Sequence, residues 1–319
     1  MYYRIVSYFD GISCAQIALN KAGIKYGSYI ASEIDESAIK ITKHNYPSTI
    51  HIGDVNSVDV SSLGEVDIFF GGSPCQDLSI ASKEKLGLDG ERSKLFYKYI
   101  DALYKLKPKY YLYENVGTMT NKNKDIISEY FGHPPIEINS NLVSCQNRSR
   151  YYWTNIPFTK LPEDKKIYVK NILEDSVDKR YYPNTDYVYL KKLSKHKNTG
   201  SGMIFECGLV NKEKYEENGC KHDGKFSQGV RVYSKEGKSC SMSANGGGLG
   251  AKMGIYYIGD GEAYSKENVR MLTPLEAERC QTIPDNYTSI VNNEQRYKCI
   301  GNAWTVDVIA YILSFIPKN

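Results

Sequence analysis

A chain of 319 residues, 41% of them hydrophobic, can bury one large core or two modest ones, which excludes a globally disordered protein. The formal net charge of +4 is mildly basic, so it permits a polyanionic partner without implying one. The eight cysteines contain no Cys-x-x-Cys pair, so they signal no zinc site and read as scattered thiols of a reducing compartment.

Tyr3–Phe9 reads as a strand, which argues against a cleaved leader at this end. Cys14–Ala22 follows with helical spacing and stops at Gly23, Tyr29–Glu33 reads as a second strand, and a helix runs on to about Asn45. Val66–Phe70 is a strand, Lys94–Leu106 is a helix ending before Pro108, and Tyr110–Glu114 and Arg150–Asn155 are strands. Strands alternating with helices imply βαβ units and a parallel, doubly wound α/β sheet. From about Pro157 to Glu267 helical periodicity fades, strands shorten, and Gly246-Gly247-Gly248 marks a loop-rich stretch. The α/β texture returns with helices near Pro274–Gln281 and Val306–Phe315. The order predicts a first domain over 1–175, an inserted small β/loop-rich domain over 176–268, and a return to the first over 269–319. The apolar stretch Val306–Ile316 is too short to cross a bilayer. A soluble, cytoplasmic protein is expected, with no membrane partner.

Ligands of doubly wound folds sit at the carboxyl ends of the strands, and the polar residues cluster there. The first βα turn, Phe9-Asp10-Gly11-Ile12-Ser13-Cys14, has one glycine and lacks Gly-x-Gly-x-x-Gly, so a diphosphate cradle is poorly supported. The second strand ends in Ser32-Glu33, whose carboxylate can accept from ribose hydroxyls, and Gly53-Asp54-Val55 offers a further acceptor. A nucleoside cofactor without a diphosphate is the economical reading. The third strand ends in Gly71-Gly72-Ser73-Pro74-Cys75-Gln76, which presents a thiol at the sheet's open mouth; as a thiolate it can attack an electrophilic carbon. Glu114-Asn115-Val116 brings a carboxylate to the same crevice. In Gln146-Asn147-Arg148-Ser149-Arg150, alternation would place both arginines on one face, two forked donors suited to a carbonyl or a phosphate.

These blocks, in this order, resemble the DNA cytosine-5 methyltransferases of bacterial or phage type over nearly the whole chain. The resemblance includes Arg270-Met271-Leu272-Thr273-Pro274-Leu275-Glu276 and Gly301-Asn302-Ala303, with a variable region between blocks in the family's position. It departs at Ser13-Cys14, where many members have two glycines, and at the bulky Trp304. The resemblance implies a Rossmann-like methyltransferase sheet with an inserted target-recognition domain. It implies S-adenosylmethionine as cofactor, held by Phe9, Asp10, Gly11, Ile12, Glu33, Ile34, Asp54, Val55, Pro74, Asn302 and Ala303. It further implies that Cys75 attacks carbon 6 of a flipped cytosine in duplex DNA, that Glu114 and Arg150 hold the ring, and that Arg148 supports Arg150. The residues after Cys75 resemble a mobile loop that closes over DNA, with Gln76, Ser79 and Arg92 as contacts. In the small domain Gln228, Arg231, Ser241, Asn245 and Gly247 match recognition loops of some bacterial members. No metal is implied; a monomer is expected, and a restriction endonuclease is a candidate partner.

A transfer-RNA methyltransferase on the same scaffold is the competing reading. RNA-acting members carry a Cys-Phe-Thr signature, which Cys207-Gly208-Leu209 does not match. The joint presence of Cys75, Glu114 and Arg150 argues against an inactive DNA-binding relative, and the missing glycine fingerprint argues against a dehydrogenase.

Overall fold

Strand β1 (Tyr3–Tyr8) is buried at every position except Arg4, the pattern of a strand covered on both faces. Helix α1 (Cys14–Ala22) ends where Gly23 turns left-handed and returns its N–H to the Asn20 carbonyl. After β2 (Tyr26–Ser32), Asp35 caps α2 (Glu36–Asn45) by accepting from the Ser37 and Ala38 N–H groups. Then come β3 (Ile50–His51), β4 (Ile68–Gly71), α3 (Leu95–Leu106), β5 (Tyr110–Val116), α4 (Asn121–Phe131), β6 (Ile136–Asn139) and β7 (Ser149–Thr154). The computed structural model describes residues 2–74, 90, 94–184, 186–190, 201–223, 225–248, 251–261 and 263–317.

These strands form one sheet in the order β3-β2-β1-β4-β5-β7-β6. The first five are parallel, and the order reverses between β1 and β4, the place where open α/β sheets open a crevice. The expectation of a parallel sheet is corrected at one edge: β7 runs antiparallel to β5, with Leu112 opposite Thr154 and Val116 opposite Arg150. No crossover helix separates β6 from β7, so the chain returns in the opposite sense. Aromatic residues dominate the core on one side, where Phe69 stacks on Tyr99 with ring centroids 4.4 Å apart. The closing helix Val306–Leu313 packs on α1, where Lys21 meets Asp307 at 2.7 Å.

Packing divides the chain into two units, one of Met1–Asn139, Ser149–Pro162 and Val306–Asn319, the other of Ser140–Arg148 and Glu163–Thr305. The second contains β8 (Tyr187–Leu190), β9 (Phe205–Asn211), α5 (Lys212–Glu217), β10 (Arg231–Ser234), β11 (Ile255–Tyr257), β12 (Val269–Arg270), α6 (Pro274–Cys280) and α7 (Asn293–Asn302). Its sheet has the order β12-β11-β10-β9-β8. These limits differ from the division at 175 and 268. Residues 269–305 pack with the second unit because β12 pairs with β11 and because Arg270 and Glu276 form a buried fork, Nη2–Oε1 2.6 Å and Nη1–Oε2 2.7 Å. The same Glu276 closes a capping box with Thr273 at the start of α6, where proline sits in the first turn. Among the described residues no helix is long and apolar enough to cross a membrane.

Candidate active site

The carboxyl ends of β1, β2 and β3 bring together most of the residues expected at a cofactor. Phe9, Gly11 and Ser13 take positive φ values of 58°, 57° and 58°, so the backbone kinks at every second residue. The Gly11 N–H donates to Glu33 Oε2 at 2.8 Å, while Oε1 accepts from the Ile34 and Asp35 N–H groups, each at 2.8 Å. Glu33 is thereby fixed against the turn, and Ile34 beside it is 69% exposed, an open apolar surface. Asp54 accepts from the Asn56 N–H at 2.9 Å and caps a short 3₁₀ turn, Val55–Ser57. Val55 and Ile12 are buried and serve this region as core. Asp10 accepts from the Ser13 hydroxyl and from Tyr29 OH at 2.5 Å. Burial pushes its pKa up to about 6, the charge of Glu33 adds to that, and the hydroxyl donors oppose it.

After β4, the Ser73 hydroxyl lies 2.6 Å from Tyr113 OH, and Asn115 Nδ2 donates to the Ser73 carbonyl at 3.2 Å. Ser73 and Asn115 are buried, so the turn leading into Pro74 is anchored from β5. Glu114, at the end of the same strand, meets Arg150 of β7, Nε–Oε1 2.8 Å, with side chains 11% and 15% exposed. The carboxylate and the guanidinium thus form a largely desolvated pair whose edges remain reachable. The Ser73–Tyr113 contact had no signal in the sequence, since 40 positions separate its partners. Cys75, Gln76, Ser79 and Arg92 lie outside the described residues, as does most of the expected loop.

Arg148 does not join this pair. It precedes β7, so strand alternation never applies to it, and it is buried in the second unit. There its guanidinium donates to Ser241 Oγ (3.2 Å) and to the carbonyls of Met242 (3.0 Å), Gly301 (3.1 Å) and Ala303 (3.0 Å). The expected shared face of Arg148 and Arg150 is corrected: Arg148 lies before the strand, and its described contacts anchor the second unit. Ser241 is likewise engaged internally, accepting from Arg148 and donating to the Met242 carbonyl. Gln146, two residues earlier, ties the same region together through the Cys280 carbonyl and Gln281 Oε1, each at 2.7 Å.

Asn302 is exposed at the end of α7, and Ala303 is buried beside it. A side chain at Gly301 would overlap the Ser243 and Ala244 backbone, so this helix end packs directly on the recognition-like segment. Gln228 Nε2 donates to the Lys252 carbonyl at 2.6 Å, and Arg231 Nε to the Phe226 carbonyl at 2.8 Å. Asn245 and Gly247 are exposed and line an open cavity of about 520 Å³ with Asn293, Glu294 and Tyr297.

The model of the family "C-5 cytosine-specific DNA methylase" matches residues 3–133 and 139–318. The chain is 29% identical over 308 residues to the orphan methyltransferase M.Rho11sI of Bacillus phage rho11s, covering 81% of this chain and 61% of that one. It is 25% identical over 330 residues to the type II methyltransferase M.HhaI of Haemophilus parahaemolyticus, covering 97% and 92%. The methyltransferase EhMeth of Entamoeba histolytica superposes with a TM-score of 0.71 at 18% identity, over 99% of this chain and 98% of that one, a likeness of fold. With its motifs in order on a seven-stranded methyltransferase sheet, the chain belongs to the C-5 cytosine-specific DNA methylases.

Proposed function

We propose that the chain moves a methyl group from S-adenosylmethionine to carbon 5 of a cytosine flipped out of a specific short duplex DNA sequence, through a covalent bond between Cys75 and carbon 6. The observation that supports this most is the Glu114–Arg150 pair at 2.8 Å, on the strand whose Asn115 bonds the Ser73 carbonyl just before Pro74 and Cys75 in the chain. A carboxyl group and a guanidinium offer a cytosine what it needs: one to bond ring nitrogen 3 and the exocyclic amine, the other to hold the ring carbonyl. Polarised in this way, the ring accepts the Cys75 thiolate at carbon 6, and carbon 5 becomes nucleophilic. Loss of the carbon 5 proton and departure of the thiolate then restore the ring.

The residues of the first three turns suit S-adenosylmethionine by their chemistry. Glu33 and Asp54 provide acceptors, Ile34 an apolar face for a base, and no glycine-rich cradle is present to favour a diphosphate. When bound, the cofactor supplies an electrophilic methyl group. Phe9, Asp10, Gly11 and Glu33 would hold it, with Pro74, Asn302 and Ala303 contributing.

Gln228, Arg231, Asn245 and Gly247 are proposed DNA contacts, together with Gln76, Ser79 and Arg92. We read the protein as a cytoplasmic monomer of a bacterial or phage-infected cell. One relative is named a type II methyltransferase and another an orphan methyltransferase, so a cognate restriction endonuclease is a candidate partner.

The test is methyl-labelled S-adenosylmethionine with mixed-sequence duplex DNA, with transfer RNA, and with a Cys75→Ala variant, followed by bisulfite sequencing. Label at cytosines of one sequence context, absent with the variant, is the expected result. Label in RNA alone would transfer the mechanism to a different substrate. Label in neither would refute the role given to Cys75.

A further inference from the structure

Ser13, where the resemblance leads one to expect glycine, sits in the left-handed region with φ 58°. An L-residue there is disfavoured, and something must hold it. Its buried hydroxyl donates to Asp10 Oδ2 and accepts from Gln16 Nε2 at 3.2 Å and Thr42 Oγ1 at 3.3 Å. Gln16 Nε2 also donates to Thr49 Oγ1 at 2.8 Å, and its carbonyl accepts from Tyr26 OH at 2.9 Å. Tyr29 OH completes the chain of contacts at Asp10 Oδ1. Side chains from α1, β2, α2 and the segment before β3 therefore converge on one turn.

We propose that Asp10, Ser13 and Tyr29 are positioning residues for the cofactor, a buried side-chain network that holds the turn 9–13 in its ligand-receiving shape by hydrogen bonds where glycine would do so by backbone freedom. The proposal rests on S-adenosylmethionine binding at this turn. The network works with an ionised Asp10. Both carboxylate oxygens accept, and the Ser13 oxygen is already committed to Gln16 and Thr42. A proton on Asp10 would set donor against donor, and the turn would have to rearrange. The charged group acting on Asp10 is Glu33 from the end of β2. Tyr29, like Tyr26 also from β2, is titratable but neutral over the relevant range, and Ser7 of β1 and Ser13 are neutral donors. Cofactor affinity is thus coupled to the protonation of Asp10, with an acid limb near pH 6.

The experiment is calorimetric titration of the full chain with S-adenosylmethionine from pH 5 to 8, in wild type, Tyr29→Phe, Ser13→Gly and Asp10→Asn. Wild-type affinity should fall about tenfold between pH 7 and 5. Tyr29→Phe removes a donor from the ionised carboxylate, so the midpoint should move up by about one pH unit. Ser13→Gly tolerates the positive φ and keeps the fold while removing the other donor, and should move the midpoint the same way. Asp10→Asn should abolish the limb, which a titration of Glu33 would leave in place. A flat wild-type profile, or unchanged midpoints in both donor variants, would overturn the network. No binding by wild type at any pH would overturn the cofactor reading beneath it.

Discussion

Replacing Arg148 by lysine separates the two roles that an arginine in this motif can have. The guanidinium serves four acceptors, three of them main-chain carbonyls, at 3.0 to 3.2 Å, and the residue is 5% exposed. A lysine ammonium reaches one or two of these, so at least two hydrogen bonds from a buried charged donor are lost. Each such bond is worth about 1.5–3 kcal/mol, so Arg148→Lys should destabilise the second unit by about 3–6 kcal/mol. For a unit of this size that is a fall in Tm of roughly 10 °C. The assay is a thermal melt beside Arg150→Lys. Arg150 is paired with Glu114 at a partly accessible edge, so its variant should melt within a few degrees of wild type while methyl transfer collapses. The reasoning is refuted if Arg148→Lys melts with wild type and loses methyl transfer as fully as Arg150→Lys.

Glu114→Gln should lower the methyl-transfer rate by about 10²–10⁴ with little change in the melt, checked by single-turnover kinetics on duplex DNA. Gly71→Ala places a methyl group into the Tyr99 ring that stacks on Phe69, so a loss of about 1–3 kcal/mol in urea unfolding is expected. Asp10 is held near pKa 6 against an ordinary value of 3.8. A raised carboxyl pKa gives stability that is fully present below pH 3.8 and lost as pH rises through 6. Asp10→Asn escapes that loss, so its stability relative to wild type should climb by roughly 2 kcal/mol between pH 4 and 7. Parallel unfolding curves across that range would show that Asp10 is not buried as described.

The sheet was legible in sequence wherever strands were fully buried. Tyr3–Tyr8 is broken only by Arg4 and Ser7, Tyr110–Tyr113 is an unbroken apolar run leading into Glu114, and α1 carries its own glycine stop. Helix α4 was not, because Asn121-Lys122-Asn123-Lys124-Asp125 is polar and only Asn123 and Ile127 are buried along its length. Helix α7 was hidden in the same way, its buried side led by Tyr297 and Ile300 among charged neighbours. The placing of Glu33, Asp54 and Glu114 at strand ends followed from the sequence, whereas the ion pair of Glu114 with Arg150 emerges only from the antiparallel register of β5 and β7. The burial of Arg148, the contact of Ser13 with Thr42 and that of Ser73 with Tyr113 depend on partners far away in the chain, which no local pattern encodes.

The first unit is assembled from three separate pieces of chain, and strand β7 enters it only after residues 140–148 have been committed to the second. A fragment cut at 176 and 268 would leave behind Arg148, Gln146, the Arg270–Glu276 fork and α7, all of which hold the second unit together. Exchanging this unit intact between relatives therefore calls for a graft that carries 140–148 along with 163–305.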